Sequence, residues 1–264
     1  MPEADAAVVA DDLDLIATAA REAGEIAMRH FKRDPEVWLK DGRSPVSQAD
    51  FDVDRFLRET LTRARPGYGW LSEETVDTHH RLSRLRTFVV DPIDGTRAFL
   101  DGRSTWCVSI AVVESGHSLA GVLECPAKGE TYSAGRGRGA TCNGRSIAVR
   151  KPGPDLTVAG PKSMINALPS EERTRTRPYP YVPSLAYRVA LVAAGAIDAT
   201  FVKPNSHDWD IAAADLILAE AGGAILDMSG ERPRYAGTRL VHDALVAGSG
   251  ALLATMLSTI RQAG

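Results

Sequence analysis

The run Arg86-Thr87-Phe88-Val89-Val90 leads directly into Asp91-Pro92-Ile93-Asp94-Gly95-Thr96, and no other stretch restricts the fold as tightly. Its β-branched and aromatic residues predict a buried strand, and proline followed by glycine predicts an abrupt stop in a stiff turn. Pro92 fixes its own φ, and Gly95 lets the chain bend into whatever follows. Two carboxylates three positions apart are thereby held just past a strand end. Acids this close repel each other unless a cation or a proton lies between them. One reading is a site for a hard cation such as Mg²⁺, which favours carboxylate oxygens and keeps several waters. The other is a plain strand-to-helix turn with aspartate as cap. These six residues are compatible with both.

The 264 residues, 44% hydrophobic and 25% charged, suffice for a sizeable core in one large or two closely packed domains. A formal net charge of −3 gives no electrostatic reason to expect nucleic acid or an acidic membrane as partner. Arg173-Thr174-Arg175-Thr176-Arg177 reads as a solvated loop. Cys107, Cys125 and Cys142 form no C-x-x-C pair and are odd in number, which fits a reducing cytoplasm better than a disulfide framework. Cys107 falls in an apolar strand and reads as core. The acidic, alanine-rich start lacks the features of a secretion signal, and no apolar run reaches ~18 residues, so no membrane span is expected.

Residues 1–10 read as a loose tail. From Asp12, a plausible N-cap, the positions Leu13, Ile16, Ala20, Ala27 and Phe31 recur at helical spacing. Lys40 to Val46 is a polar loop, and Ser47-Gln48-Ala49-Asp50 is a capping box opening a second helix. Tyr68 to Glu74 is a short strand running out into the paired acids Glu73 and Glu74. Thr105–Glu114 and Ser118–Cys125 are strands joined at Ser115-Gly116-His117, with further strands at Glu130–Ala134 and Ile147–Val149. Gly135, Gly137 and Gly139 lead into no helix, which excludes a dinucleotide fingerprint. Lys151-Pro152-Gly153-Pro154 is the expected boundary between halves 1–150 and 151–264. Beyond it helices are expected at Ser184–Ala194, Asp210–Ala221 and Ala251–Arg261, with strands at Ala196–Val202, Ala224–Leu226 and Leu245–Ala247. His207 and Asp208 read as loop residues at a pocket rim.

Asp91-Pro92-Ile93-Asp94-Gly95-Thr96 resembles the first signature of the inositol monophosphatase family of Mg²⁺-dependent, lithium-sensitive phosphatases. Trp209-Asp210-Ile211-Ala212-Ala213-Ala214, running into Glu220-Ala221-Gly222-Gly223, resembles its second. Both occur in the family's order and at about its spacing, and the resemblance covers roughly residues 11–262. It implies a layered αβαβα sandwich (α/β, or α+β) with the site between a larger antiparallel sheet in the first half and a smaller sheet in the second. It implies two or three Mg²⁺ ions: Glu73, Asp91 and the Ile93 carbonyl on the first, Asp91, Asp94 and Asp210 on the second. A third, looser ion would lean on Glu73 and waters. It gives Thr96 and Glu73 the task of orienting the attacking water and Asp50 that of ordering the metal-bound waters. Asp94, Gly95, Thr96, Ser184, Arg188 and Asp210 become the substrate contacts. It also implies a homodimer.

Inositol-specific members commonly continue the first signature Gly-Thr-Thr-Asn-Phe, whereas this chain has Gly95-Thr96-Arg97-Ala98-Phe99. That departure, with Ser184-Leu185-Ala186-Tyr187-Arg188, resembles bisphosphate nucleotidases and histidinol-phosphatase-like members. Inositol 1-phosphate is the expected substrate, with 3′-phosphoadenosine 5′-phosphate and histidinol phosphate as competitors; Arg97 or Arg188 suits a second phosphate. A haloacid-dehalogenase-type turn has one residue between its acids and a phosphorylated aspartate, whereas two residues stand between Asp91 and Asp94 here, which favours direct attack by water. A non-catalytic regulatory protein keeping the same fold is the reading from another class.

Overall fold

Side chains alternate along the central strand and thereby divide the interior into layers. Phe88 and Val90 pack with Ile16, Ala20, Val53 and Leu57, whereas Val89 between them packs with Ala186, Ile211 and Ala213. That is the period-two pattern of a strand buried on both faces.

The computed structural model describes residues 3–33, 35–40 and 44–263. Helix α1 (Glu3–His30) precedes a hairpin of β1 (Val37–Lys40) and β2 (Ser44–Ser47), then α2 (Gln48–Ala64) and β3 (Gly69–Ser72). A 3₁₀ turn at His80–Ser83 leads into β4 (Arg86–Asp94) and α3 (Thr96–Leu100). Next come β5 (Cys107–Glu114), β6 (His117–Cys125), β7 (Glu130–Gly135), β8 (Ala140–Cys142) and β9 (Arg145–Ser146). The remainder begins with β10 (Leu156–Ala159), α4 (Lys162–Asn166), α5 (Ser170–Arg175) and β11 (Thr176–Pro178). It continues through α6 (Leu185–Ala193), β12 (Ala199–Val202), β13 (Ser206–His207) and α7 (Asp208–Glu220). Strands β14 (Ala224–Leu226), β15 (Val241–His242) and β16 (Leu245–Gly248) and helix α8 (Gly250–Ala263) close the chain.

Strands β3 to β9 form one seven-stranded sheet in sequence order, antiparallel except for the β3–β4 pair. A second sheet has the order β11-β10-β12-β16-β14. Helices α1 and α2 cover the outer face of the first sheet. Its inner face meets α6 and α7, which also bury Val202, Leu245 and Ala247 of the second sheet. On the far side, Leu156, Val158, Phe201 and Val246 pack under Ile165 and the Leu252, Met256 and Ile260 stripe of α8. The result is five layers, α/β/α/β/α. Contact between α7 and the first sheet is so close that a Cβ on Gly121 of β6 would lie 2.9 Å from the Ala213 carbonyl oxygen.

Several expectations change. The segment read as a loose tail is helical from Glu3, and Asp12 lies inside α1 rather than capping it. Asp12 is fully buried, bound by Arg65 Nε at 2.9 Å, Arg86 Nη1 at 3.2 Å and Tyr68 Oη at 2.8 Å. Paired burial of charge, invisible in local sequence, outweighs its capping propensity. Of the polar loop Lys40–Val46, the ends belong to β1 and β2, and residues 41–43 lie outside the described residues. Ile147–Val149 is no strand; the Val149 amide instead donates to the Ala221 carbonyl at 2.9 Å. Arg173–Arg177 is not a loop but the end of α5 and the start of β11. Asp208 is no rim residue: it opens α7 fully buried, its carboxylate 2.7 Å from His242 Nε2.

Candidate active site

Two aspartates three residues apart on a regular strand would face opposite sides. In β4 Asp91 pairs with Ser109, yet Asp94, not Ile93, pairs with Cys107, so one extra residue is accommodated as a bulge. Ser109 and Cys107 lie two apart on β5 and share a face, so both acids turn toward α6 and α7. The strand therefore continues through the expected turn, and the bulge does the bending. Gly95 follows with φ +96°, where a Cβ would also meet Ser184 Cβ at 3.0 Å, and α3 starts at Thr96.

Asp210 arrives from the third position of α7, where its Oδ2 accepts the His207 amide at 2.7 Å in a capping-box arrangement. One carboxylate oxygen from each of Asp91, Asp94 and Asp210 lies within 4.8 Å of the others. They share a cleft of about 520 Å³ with Glu73, Ile93, Gly95 and Thr96. Glu73 leaves the end of β3, its amide on the Val90 carbonyl at 3.2 Å. Its carboxylate stands outside the tight trio and meets Lys40 Nζ at 3.2 Å. That same ammonium bonds Glu74.

Burial, then the charges of Glu73, Asp94 and Asp210, push Asp91 well above the usual carboxylate range. Asp210 is raised by burial and by Asp94. Asp94 rises to about 6 through burial, against the pull of three donors: Ser184 Oγ at 2.6 Å, the Ala186 amide at 2.6 Å and the Leu185 amide at 3.3 Å. Such crowding is costly without a cation, and the donor set is all hard oxygen. The residues therefore fit Mg²⁺.

Thr96 Oγ1 stands 3.2 Å from Asp50 Oδ1 and 3.1 Å from the Ile93 carbonyl oxygen. Asp50 sits one layer behind, its Oδ2 holding the Ser47 amide at 2.8 Å and hydroxyl at 2.6 Å, as the capping box predicts. Burial raises Asp50 to about 6. Ser184 is fully buried, and its hydroxyl is committed to Asp94 and to the Tyr187 amide at 3.0 Å. It positions Asp94, having no surface left for a substrate. Arg188 does line the cleft, as does Arg97. Glu74 turns inward, raised to about 7 by burial despite the bond from Lys40.

Sequence reasoning missed Lys40, Tyr181, Lys203 and Asn205. Lys40 reaches the acids only because the β1–β2 hairpin folds over them, and the others reach the cleft from loops before α6 and after β12. No local pattern marks any of the four.

The chain matches the model of the inositol monophosphatase family over residues 10–264. It is 33% identical over 271 residues to the inositol-1-monophosphatase of Mesorhizobium japonicum, covering 95% of this chain and 96% of that one. A fructose-1,6-bisphosphatase/inositol-1-monophosphatase of Thermotoga maritima is 32% identical over 226 residues, covering 84% and 86% respectively. The solved structure of a Thermotoga maritima IMPase superposes with a TM-score of 0.84 at 27% identity, over 96% of this chain and 97% of that one. With the acids of both signatures gathered in one cleft and the family match running to the end of the chain, this protein belongs to the inositol monophosphatase family of phosphatases.

Proposed function

We propose that the protein is a Mg²⁺-dependent phosphomonoesterase that releases phosphate from a small phosphorylated metabolite by direct attack of water. Inositol 1-phosphate is the reference substrate, and 3′-phosphoadenosine 5′-phosphate and histidinol phosphate are its competitors. The observation carrying this reading is the meeting of Asp91, Asp94 and Asp210 within 4.8 Å on the wall of an open cleft. Glu73, Asp91 and the Ile93 carbonyl are assigned to one ion, and Asp91, Asp94 and Asp210 to another; a third would rest on Glu73. Bound Mg²⁺ supplies Lewis acidity that offsets phosphate charge and makes water a stronger nucleophile at neutral pH.

The chain's own groups do the rest. Thr96 Oγ1 can take a hydrogen bond from the attacking water while donating toward Asp50 Oδ1, so Asp50 fixes the hydroxyl's direction. The Ile93 carbonyl keeps a second lone pair beyond the one facing Thr96. Gly95 and Thr96 are assigned to the phosphoryl oxygens, and Ser184 with the α6 amides keeps Asp94 aimed into the cleft. The same reading carries halves 1–150 and 151–264 as subdomains flanking the site, a cytoplasmic homodimer as the working form, and lithium as an inhibitor.

Phosphate release from the three substrates tests the proposal. Release is expected with Mg²⁺ and not after EDTA, and Asp210→Asn is expected to lose more than roughly a hundredfold. No Mg²⁺-dependent release from any of them would leave the non-catalytic reading standing. A trapped phosphoenzyme would refute direct attack by water.

A further inference from the structure

The far end of β5 carries a second concave site that shares no residue with the acid cleft. Asp94 pairs with Cys107 at one end of this strand, and His117 pairs with Glu114 at the other. A strand of that length separates the two ends by about 20 Å. Around His117 the β5–β6 hairpin, the second half of α7 and the loop between β14 and β15 enclose a cavity of about 300 Å³. Asp215 and Tyr235 line it as buried residues, 7% and 2% exposed, whereas Arg232 is exposed. The carboxylate and the phenol therefore form the floor, and the guanidinium stands at the mouth.

The floor is incomplete. Neither Asp215 Oδ1 nor the Tyr235 hydroxyl has a hydrogen-bond partner. Each shifts the other's titration, yet no bond closes between these two atoms. Two neighbouring orphans in a buried setting are costly unless a third group bridges them. The mouth is unbalanced as well. Burial, then the charges of Arg136, Arg234 and Arg232, hold the His117 imidazole below the usual histidine range. Among the described residues none of these arginines forms an ion pair. Arg136 Nη2 donates to the Ser118 carbonyl at 2.8 Å, and Arg232 Nη2 only reaches the Gly223 carbonyl at 3.5 Å. Glu220 also lines the cavity, but its two oxygens accept the Gly137 and Gly139 amides, both at 2.8 Å.

We propose that this cavity binds a small hydroxylated anion, its phosphoryl or carboxylate head on Arg232 and Arg136 and its hydroxyl between Asp215 Oδ1 and Tyr235 Oη. A hydroxyl matches the floor because it donates to the carboxylate oxygen and accepts from the phenol at once. Guanidinium forks match the head, since either anion offers them paired oxygens. Water alone would satisfy the floor and leave the arginines uncompensated; a plain anion would do the reverse. The site stands apart from the hydrolytic reading and needs no turnover to be observed.

Calorimetric titration of the full chain in EDTA tests the proposal, because no divalent cation is then present in the acid cleft to hold a phosphate. The probes are glycerol 3-phosphate and glycerate, each against a hydroxyl-free counterpart, propyl phosphate and propionate, with glycerol as the headless control. At least one hydroxylated anion is expected to bind about tenfold or more tighter than its counterpart and tighter than glycerol. Which of the two does so identifies the head group. The same probe is expected to move the His117 ring signals in proton NMR, which locates it. Arg232→Glu, a change at an exposed position, is expected to abolish binding. Tyr235→Phe, its fold checked by a melting curve, is expected to cut the hydroxyl preference below about threefold. No binding of either hydroxylated probe would overturn the proposal and leave water as the bridge. Equal affinities within both pairs would do the same, reducing the arginines to a cluster that takes any anion. So would binding that Arg232→Glu leaves unchanged.

Discussion

Asp215 illustrates how a single side chain of this fold stores a pH dependence away from the clustered acids of the cleft. It lies on α7 beside a cavity of about 300 Å³ shared with His117, Arg136, Arg232 and Tyr235, and its Oδ1 has no hydrogen-bond partner. Burial lifts it to about 6, against the opposing pull of Arg232, the Tyr235 hydroxyl, the Ile225 amide and His242. The folded state thus holds this proton more tightly than the unfolded chain does. The stabilisation is complete below the ordinary aspartate range and is lost as pH rises through about 6. Holding this carboxyl near 6 instead of at its ordinary value costs the fold roughly 3 kcal/mol once the group is ionised. Asp215→Asn is therefore expected to be more stable than the parent at pH 8 and indistinguishable near pH 4. Denaturant melts at the two pH values check this, and an equal gain at both would refute it. The residue scale was the least legible in sequence. Asp12, Asp208 and Asp215 are ordinary helix acids until the fold shows each one buried.

At the level of elements, the packing of β6 on α7 carries the most weight. Gly121 has no positive φ to justify a glycine; the reason is the Ala213 backbone, with its oxygen 2.9 Å and its Cα 3.1 Å from where a Cβ would stand. Gly121→Ala must push α7 away from the sheet, and overpacking of this kind costs about 1–3 kcal/mol. Because α7 also carries Asp210, the variant is expected to melt several degrees lower and to lose activity beyond what unfolding explains. An unchanged melting temperature would show that the layer yields freely. Elements were legible where period and punctuation agreed: Arg86–Val90, the pairing of β5 with β6 across a two-residue turn, the Ser47 capping box, and α7 ending at Gly222-Gly223. Residues 155–183 gave no such agreement, and β10, α4, α5 and β11 there are short pieces held by tertiary contact. The bulge between Asp91 and Asp94 was likewise hidden, since Pro92 and Gly95 read as a turn in any window that short.

For the molecule as a whole, the acids that define the cleft are a liability when no cation is present. Burial pushes Asp91, Asp94 and Asp210 up, and neighbouring carboxylates, Glu73 among them, add to the rise, so the fold sacrifices stability for the site. Mg²⁺ is expected to raise the melting temperature, with about 2.7 kcal/mol gained at a hundredfold excess over Kd. Asp91→Asn should melt higher than the parent in EDTA and respond less to Mg²⁺; thermal melts in EDTA and in Mg²⁺ read both effects. A parent protein indifferent to Mg²⁺ would argue against the ion assignment. The two signatures made the identity of the acids readable, whereas their convergence depends on β4 and α7 lying against each other across more than a hundred residues of chain. Residues 151–154 form the crossing between the two sheets, and neither side of that crossing carries all three of the clustered acids Asp91, Asp94 and Asp210. A protease that nicked the backbone there would produce two inert pieces, one baring the sheet face that α6 and α7 had sealed and the other the oily flanks of those helices. Catalysis would survive only for as long as the severed partners stayed clasped.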